Sequence, residues 1–203
     1  MNKIKAIAFD LGNVLFSFDY NIAIDKIKER ISLTKEDVVN KLMHSDFTLS
    51  FEKGLISPED FFKEFNAAFA VDLTYDYFFD IWCKIFSPKN EIINFARAVS
   101  KKFPLYLISN INKLHFDYLH QEYQYVFSLF KGLVLSYEVK SVKPEFKIYQ
   151  RLKSLSRVDF NNIVYIDDRR DLTDQAKQFN LHCIQFQNKE KLIEDLESLD
   201  ISI

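Results

Sequence analysis

Ile4-Lys5-Ala6-Ile7-Ala8-Phe9-Asp10-Leu11-Gly12-Asn13-Val14-Leu15 is the stretch that decides the fold. A short apolar run of roughly four to eight residues, bounded by a turn signal, reads as a buried parallel strand. Asp10 then stands at the strand's carboxyl end, the edge at which open α/β sheets bind ligands. Gly12 is one of only 3 glycines in 203 residues. Beside that acid it permits a tight turn and a close approach of backbone to whatever Asp10 touches. Taken singly, Asp10 also reads as a helix cap or turn former.

Further short apolar runs follow at 105–108, 133–135, 163–166 and 183–186, alternating with helical patterns at 111–122, 145–155, 172–179 and 189–198. Repeated βα units of this kind predict an α/β fold: a five-stranded parallel sheet flanked by helices, with right-handed crossovers. The stretch 16–87 breaks the rhythm and carries helical patterns only, so a helical insertion interrupts the α/β unit. Thr34-Lys35-Glu36-Asp37 and Ser57-Pro58-Glu59-Asp60 read as helix starts, each with a hydroxyl at the N-cap and an acid three residues on. Phe61, Phe62, Phe65 and Phe69 recur at helical spacing and read as the insertion's own core.

Composition narrows the function classes. With 48% hydrophobic and 28% charged residues the chain is globular, and 21 phenylalanines promise an aromatic core. Lys+Arg 27 against Asp+Glu 29 gives no general attraction for nucleic acid. No apolar run approaches the roughly 18 residues of a membrane helix, and Asp10 interrupts the first apolar stretch, so no signal peptide is expected. Cys83 and Cys183 form no CxxC pair and read as buried free thiols, so the expected location is cytoplasmic.

The other strand ends change the weight of Asp10. Ser109-Asn110-Ile111-Asn112 offers a hydroxyl and backbone amides at a helix start, which is an anion site or a plain N-cap. Lys143-Pro144 precedes a helix and, alone, reads as surface. Asp167-Asp168 ends the fourth strand, and adjacent carboxylates that repel make a better metal candidate than one acid. In a parallel sheet these ends emerge on one edge, so the residues converge on one cleft. They supply a nucleophile, a phosphate clamp, a cation and hard oxygen ligands, which are the parts phosphoryl transfer needs.

At these residues the chain resembles the haloacid dehalogenase (HAD) superfamily of aspartate-nucleophile phosphatases, with the motifs in order from Phe9 to about Gln187. It is most similar to the subgroup that contains bacterial α-D-glucose-1-phosphate phosphatase and the N-terminal phosphatase domain of soluble epoxide hydrolases. The resemblance implies a Rossmann-like core over residues 1–15 and 88–203 and a helical C1 cap over 16–87. It implies that Asp10 attacks phosphorus to form an aspartyl-phosphate. Mg²⁺ would be held by Asp10, the Gly12 carbonyl and Asp168, with Asp167 acting through water. Ser109 and the Asn110 amide would bind the phosphoryl group, and Lys143 would offset charge on nucleophile and phosphate.

The departures from that pattern are informative. Most phosphatases of the superfamily carry a proton-donating aspartate two positions after the nucleophile; here that position is Gly12. This points to a substrate with a relatively acidic leaving alcohol, such as an aldose 1-phosphate. Lys140 stands where the family often has glycine, and Leu172 where it often has asparagine. Arg169-Arg170 read as a solvated loop paired with Asp171, or as contacts to an anionic substrate. His115 reads as a helix-packing histidine, with a role as the missing acid the alternative. Phe18, Asp19, Tyr20, His44, Phe47, Glu52 and Trp82 are the cap residues expected to face the cleft, with Asp19, His44 and Glu52 the substrate candidates. The expected partner is a small-molecule phosphate ester, with no nucleic acid and no membrane; the oligomeric state is not encoded in any motif. Two other readings compete: a dehalogenase attacking carbon, disfavoured by the acidic pair, and a catalytically weak phospho-ligand-binding regulator.

Overall fold

The fold is built around β1 (Ala6–Phe9), whose side chains are buried on both faces. A computed structural model describes residues 3–27, 34–43 and 45–202. After β1 come β2 (Phe16–Phe18), α1 (Tyr20–Ile27), α2 (Lys35–Met43), α3 (Asp46–Glu52), α4 (Pro58–Phe69), α5 (Tyr75–Cys83) and β3 (Phe86–Pro88). There follow α6 (Asn90–Ser100), β4 (Leu105–Ser109), α7 (Lys113–Glu122), α8 (Gln124–Phe127), β5 (Gly132–Leu135), α9 (Ser136–Val139) and α10 (Phe146–Ser156). The chain ends with β6 (Ile163–Asp167), α11 (Arg170–Ala176), β7 (His182–Gln185) and α12 (Lys189–Glu197).

The five-stranded sheet runs β5-β4-β1-β6-β7, and every pairing is parallel. Alternation along the strands builds two cores. Ile7, Phe9, Leu105, Leu107, Val164 and Ile166 face one side, under α6 and α12; Ala6, Ala8, Tyr106, Ile108, Ile163 and Tyr165 face the other, under α10. Because the chain leaves β1 for β4 and β5 on one side and returns to β6 on the other, a crevice opens at the carboxyl end of β1. Asp10 stands at that crevice.

The insertion has its own core, in which Phe61, Phe65, Phe69, Phe78 and Trp82 are buried together. Ser57 caps α4, accepting the Asp60 amide with Pro58 in the first turn. Thr34 and Asp37 exchange capping bonds at the start of α2. One expectation fails. The stretch 16–87 is not wholly helical, because β2 and β3 pair antiparallel through Phe16–Pro88, Ser17–Ser87 and Phe18–Phe86. Three-residue strands show a single alternation, which no periodicity can distinguish from helix. The helix expected at 172–179 is also divided, α11 giving way to a tighter turn at Lys177–Phe179 that ends on Asn180 at φ 65°. Both cysteines are free thiols, Cys83 buried and Cys183 only half-buried. Among the described residues no helix is long and apolar enough to cross a membrane.

Candidate active site

The end of β1, the end of β6 and the loop before α10 bring three charges together. Lys143 Nζ lies 2.7 Å from Asp10 Oδ1 and 2.6 Å from Asp167 Oδ2, and all three side chains are buried. Tyr165, two residues back on the same face of β6, donates its hydroxyl to Asp167 Oδ2, while the Arg169 amide donates to Oδ1 at 2.9 Å. Both Asp167 oxygens are therefore committed. Asp168 turns the other way and accepts from Asn13 Nδ2 at 3.1 Å. Asn13 reaches it from a left-handed backbone, φ 54°, directly after Gly12.

Burial dominates the titration of this cluster. It pushes the Asp10 carboxyl up to about 7, with Lys143 opposing and Asp167 adding to the rise. Burial alone would lower the Lys143 ammonium, but Asp10 and then Asp167 more than offset it and the net shift is upward. Burial also raises Asp168, against the Asn13 hydrogen bond. Oxygens of Asp10, Asp167 and Asp168 lie within 4.8 Å of one another. An all-carboxylate donor set facing a single ammonium is hard and over-negative, so it fits a small hard dication such as Mg²⁺.

Ser109, at the end of β4, is buried beside this cluster. Asn110 locks two loops together: its Oδ1 accepts the Lys143 amide at 2.7 Å and its Nδ2 donates to the Lys143 carbonyl at 3.2 Å. A cavity of about 420 Å³ opens above. Asp10, Gly12, Asn13, Ser109, Asn110, His115, Lys143, Asp168 and Arg169 line it from the sheet body. Phe18, Tyr20, Leu42, Ser45, Asp46, Leu49, Glu52, Trp82 and Phe86 line it from the insertion side. A Cβ built on Gly12 would lie 3.2 Å from Phe18 Cε1, so any side chain at position 12 would press on the Phe18 ring.

The cap candidates divide. Phe18, Tyr20, Glu52 and Trp82 line the cavity. Asp19 does not: it is exposed, and its Oδ1 accepts the Asn21 amide at 2.8 Å, which makes it the cap of α1. Phe47 packs into the insertion's core with its ring 5.4 Å from Phe61. His44 lies outside the described residues. Arg169 forms the expected pair with Asp171 at 2.6 Å while still bordering the cavity. His115 is a packing residue with both ring nitrogens engaged, Nε2 at 2.9 Å from the Trp82 carbonyl and Nδ1 at 3.0 Å from Asn112 Nδ2. Burial pushes it down to about 4, the Trp82 bond partly opposing. Asn13, Tyr165 and Ser136 went unremarked in the sequence. Asn13 in the Gly-Asn turn carried the one available signal, since asparagine tolerates left-handed backbone.

No established protein-family profile matches the chain. A D-ribitol-5-phosphate phosphatase of Bacteroides thetaiotaomicron is 23% identical over 195 residues, covering 91% of this chain and 93% of the relative. A crystal structure of a HAD family enzyme from the same organism, in complex with magnesium and inorganic phosphate, superposes with a TM-score of 0.81 at 23% identity, covering 91% of this chain and 94% of that one. A HAD-like family hydrolase from Porphyromonas gingivalis gives a TM-score of 0.83 at 23% identity, covering 98% and 99%. The chain therefore has the fold of these HAD family enzymes.

Proposed function

We propose that the chain is a cytoplasmic, Mg²⁺-dependent phosphatase of a small phosphorylated sugar or polyol, working through an aspartyl-phosphate on Asp10. The observation that carries this reading is the buried Asp10–Lys143–Asp167 cluster, with Asp168 and Ser109 at the floor of one cavity. A relative of similar length named as a ribitol-phosphate phosphatase supports it.

Asp10, Asp168 and the Gly12 carbonyl would hold Mg²⁺, with Asp167, its oxygens taken by Lys143, Tyr165 and the Arg169 amide, acting through water. When bound, the ion supplies positive charge to the phosphoryl oxygens. Lys143 holds the Asp10 carboxylate in place and offsets charge on it and on the incoming phosphate. Ser109 and the Asn110 amide bind the phosphoryl group at the start of the turn that leads into α7. Asp10 attacks phosphorus, and water then hydrolyses the phosphorylated aspartate, so one difficult displacement becomes two. Residues 16–87 serve as the cap that excludes water and selects the substrate. Gly12 offers no proton from the nucleophile's own loop, so an aldose 1-phosphate, whose anomeric oxygen leaves readily, is the first substrate to try.

The test is a screen of sugar and polyol phosphates with and without Mg²⁺, on the wild type and on Asp10→Asn. Phosphate release that needs both Mg²⁺ and Asp10 is the expected result. Release independent of Mg²⁺ from a halogenated acid would point to a dehalogenase instead. Binding of esters without any release would point to a regulator.

A further inference from the structure

An alkyl ester leaves as an alkoxide unless a proton reaches its oxygen in the transition state, and the nucleophile's loop holds no donor. A side chain at Gly12 would meet the Phe18 ring at 3.2 Å and have to push it aside. Most of the other ionisable groups that face the cavity are already engaged. His115 has both nitrogens engaged, and Lys143 is clamped between two carboxylates. Arg169 is held by Asp171, Asp168 belongs to the metal cluster, and Asp46 is exposed to solvent in the first turn of α3. Tyr20 is a phenol that burial, and then the Glu52 charge, push above its usual range. Glu52 is left. It ends α3, lines the cavity, and its carboxylate accepts no hydrogen bond among the described residues.

Its position is fixed from the sheet body. Ser136 Oγ lies 2.7 Å from the Glu52 carbonyl and accepts the Ile111 amide at 2.9 Å. Glu52 is therefore two hydrogen bonds from the turn that carries Ser109 and Asn110. The next two residues are gripped as well: Lys53 pairs with Glu145 at 2.6 Å, and Lys140 donates to the Gly54 carbonyl.

We infer that Glu52 is the general acid of this site, delivered from the insertion in place of a side chain at position 12. The inference rests on the phosphatase reading above. In the first step Asp10 Oδ bonds to phosphorus, the bond from phosphorus to the ester oxygen breaks, and that oxygen keeps the electron pair and takes the Glu52 proton. In the second, a water oxygen bonds to the phosphorus on Asp10, the bond from phosphorus to Asp10 Oδ breaks with its electron pair staying on the carboxylate, and the water's proton goes to the Glu52 carboxylate. Inorganic phosphate leaves, and both carboxyl groups return to their starting states. Burial holds the Glu52 carboxyl above its usual range, with Arg169 opposing, which favours the protonated form this requires. Such a donor extends the substrate range from acidic anomeric leaving groups to the terminal phosphates of polyols.

The experiment compares kcat/KM for ribitol 5-phosphate and p-nitrophenyl phosphate, in Mg²⁺, for wild type, Glu52→Gln, Glu52→Asp and Asp10→Asn. Glu52→Gln is expected to lose about a hundredfold or more on the alkyl ester and less than about fivefold on the aryl ester, whose phenolate needs no proton. Glu52→Asp should recover part of the alkyl activity. Equal losses on both esters, no loss on either, or a rise in KM with kcat unchanged would overturn the inference while wild-type activity and its loss in Asp10→Asn left the phosphatase reading standing. A wild type inactive on every ester, or an active Asp10→Asn, would overturn both. Thermal melting of Glu52→Gln separates loss of fold, in which case Glu52→Asp decides by the same split between esters.

Discussion

Replacing Lys143 with methionine tests the charge cluster on which the functional reading rests. Methionine matches the stem but removes an ammonium that sits 2.7 Å from Asp10 and 2.6 Å from Asp167, in side chains no more than 10% exposed. Removing one partner of a buried ion pair typically costs about 3–5 kcal/mol, because the survivor's charge is left unpaired. Here the survivors can relieve themselves in part. Asp10, already pushed up to about 7, takes a proton more readily than Asp167, so the low end of the range, about 3 kcal/mol, applies near neutral pH. For a chain of 203 residues that is a fall of roughly 6–12 °C in melting temperature. The fall should shrink below about pH 7, where Asp10 takes a proton in the wild type as well and the ion pair no longer distinguishes the two proteins, and should shrink again in millimolar Mg²⁺, which replaces the missing charge. Differential scanning calorimetry at pH 5.5 and 7.5, with EDTA or Mg²⁺, measures each arm. A variant in EDTA at pH 7.5 that melts within about 2 °C of wild type would refute the argument.

Other outcomes follow from the same geometry. Gly12→Asp should not accelerate alkyl esters and should cost about 1–3 kcal/mol by crowding Phe18, a cost relieved in Gly12→Asp/Phe18→Ala when both are melted. His115 is neutral in the fold at about 4, whereas the unfolded chain's imidazole takes a proton below roughly pH 6.5. Stability therefore falls as pH drops through that window, by about 3 kcal/mol in all, and urea titrations of His115→Gln should lack this component. Ser57→Ala removes the cap of α4 and should cost about 1 kcal/mol in the same assay while leaving hydrolysis unchanged.

The strand ends were legible because a parallel sheet turns four separate sequence positions into one edge, and β1, β4 and β6 each finish within a residue of the expected place. The caps at Thr34 and Ser57 were legible because their signal is local. What escaped was set by pairing across long stretches of chain. Phe18 and Phe86 face one another in the β2–β3 ribbon, and only that register brings the Phe18 ring over Gly12. Asp19 looked like a site residue for the same reason that it caps α1: an acid after an apolar run serves either purpose. Lys140 was noticed as a departure from glycine, and it does adopt φ 57°. Its purpose lies 86 residues away, at the Gly54 carbonyl, where no local pattern reaches.

That grip on residues 52–54 has a mechanical consequence. The insertion is fastened to the sheet body twice, through the β2–β3 ribbon with the Trp82–His115 contact, and again through Ser136, Lys140 and Glu145. A body pinned at one point swings freely, whereas one pinned at two points rocks only about the axis that joins them. Leu42, Ser45, Asp46 and Leu49 form the cavity wall between the two fastenings along the chain, so such rocking would widen the mouth on their side. On the phosphatase reading, substrate and phosphate would pass these residues, and the Lys53–Glu145 pair, with Glu145 43% exposed, would make their exchange sensitive to ionic strength.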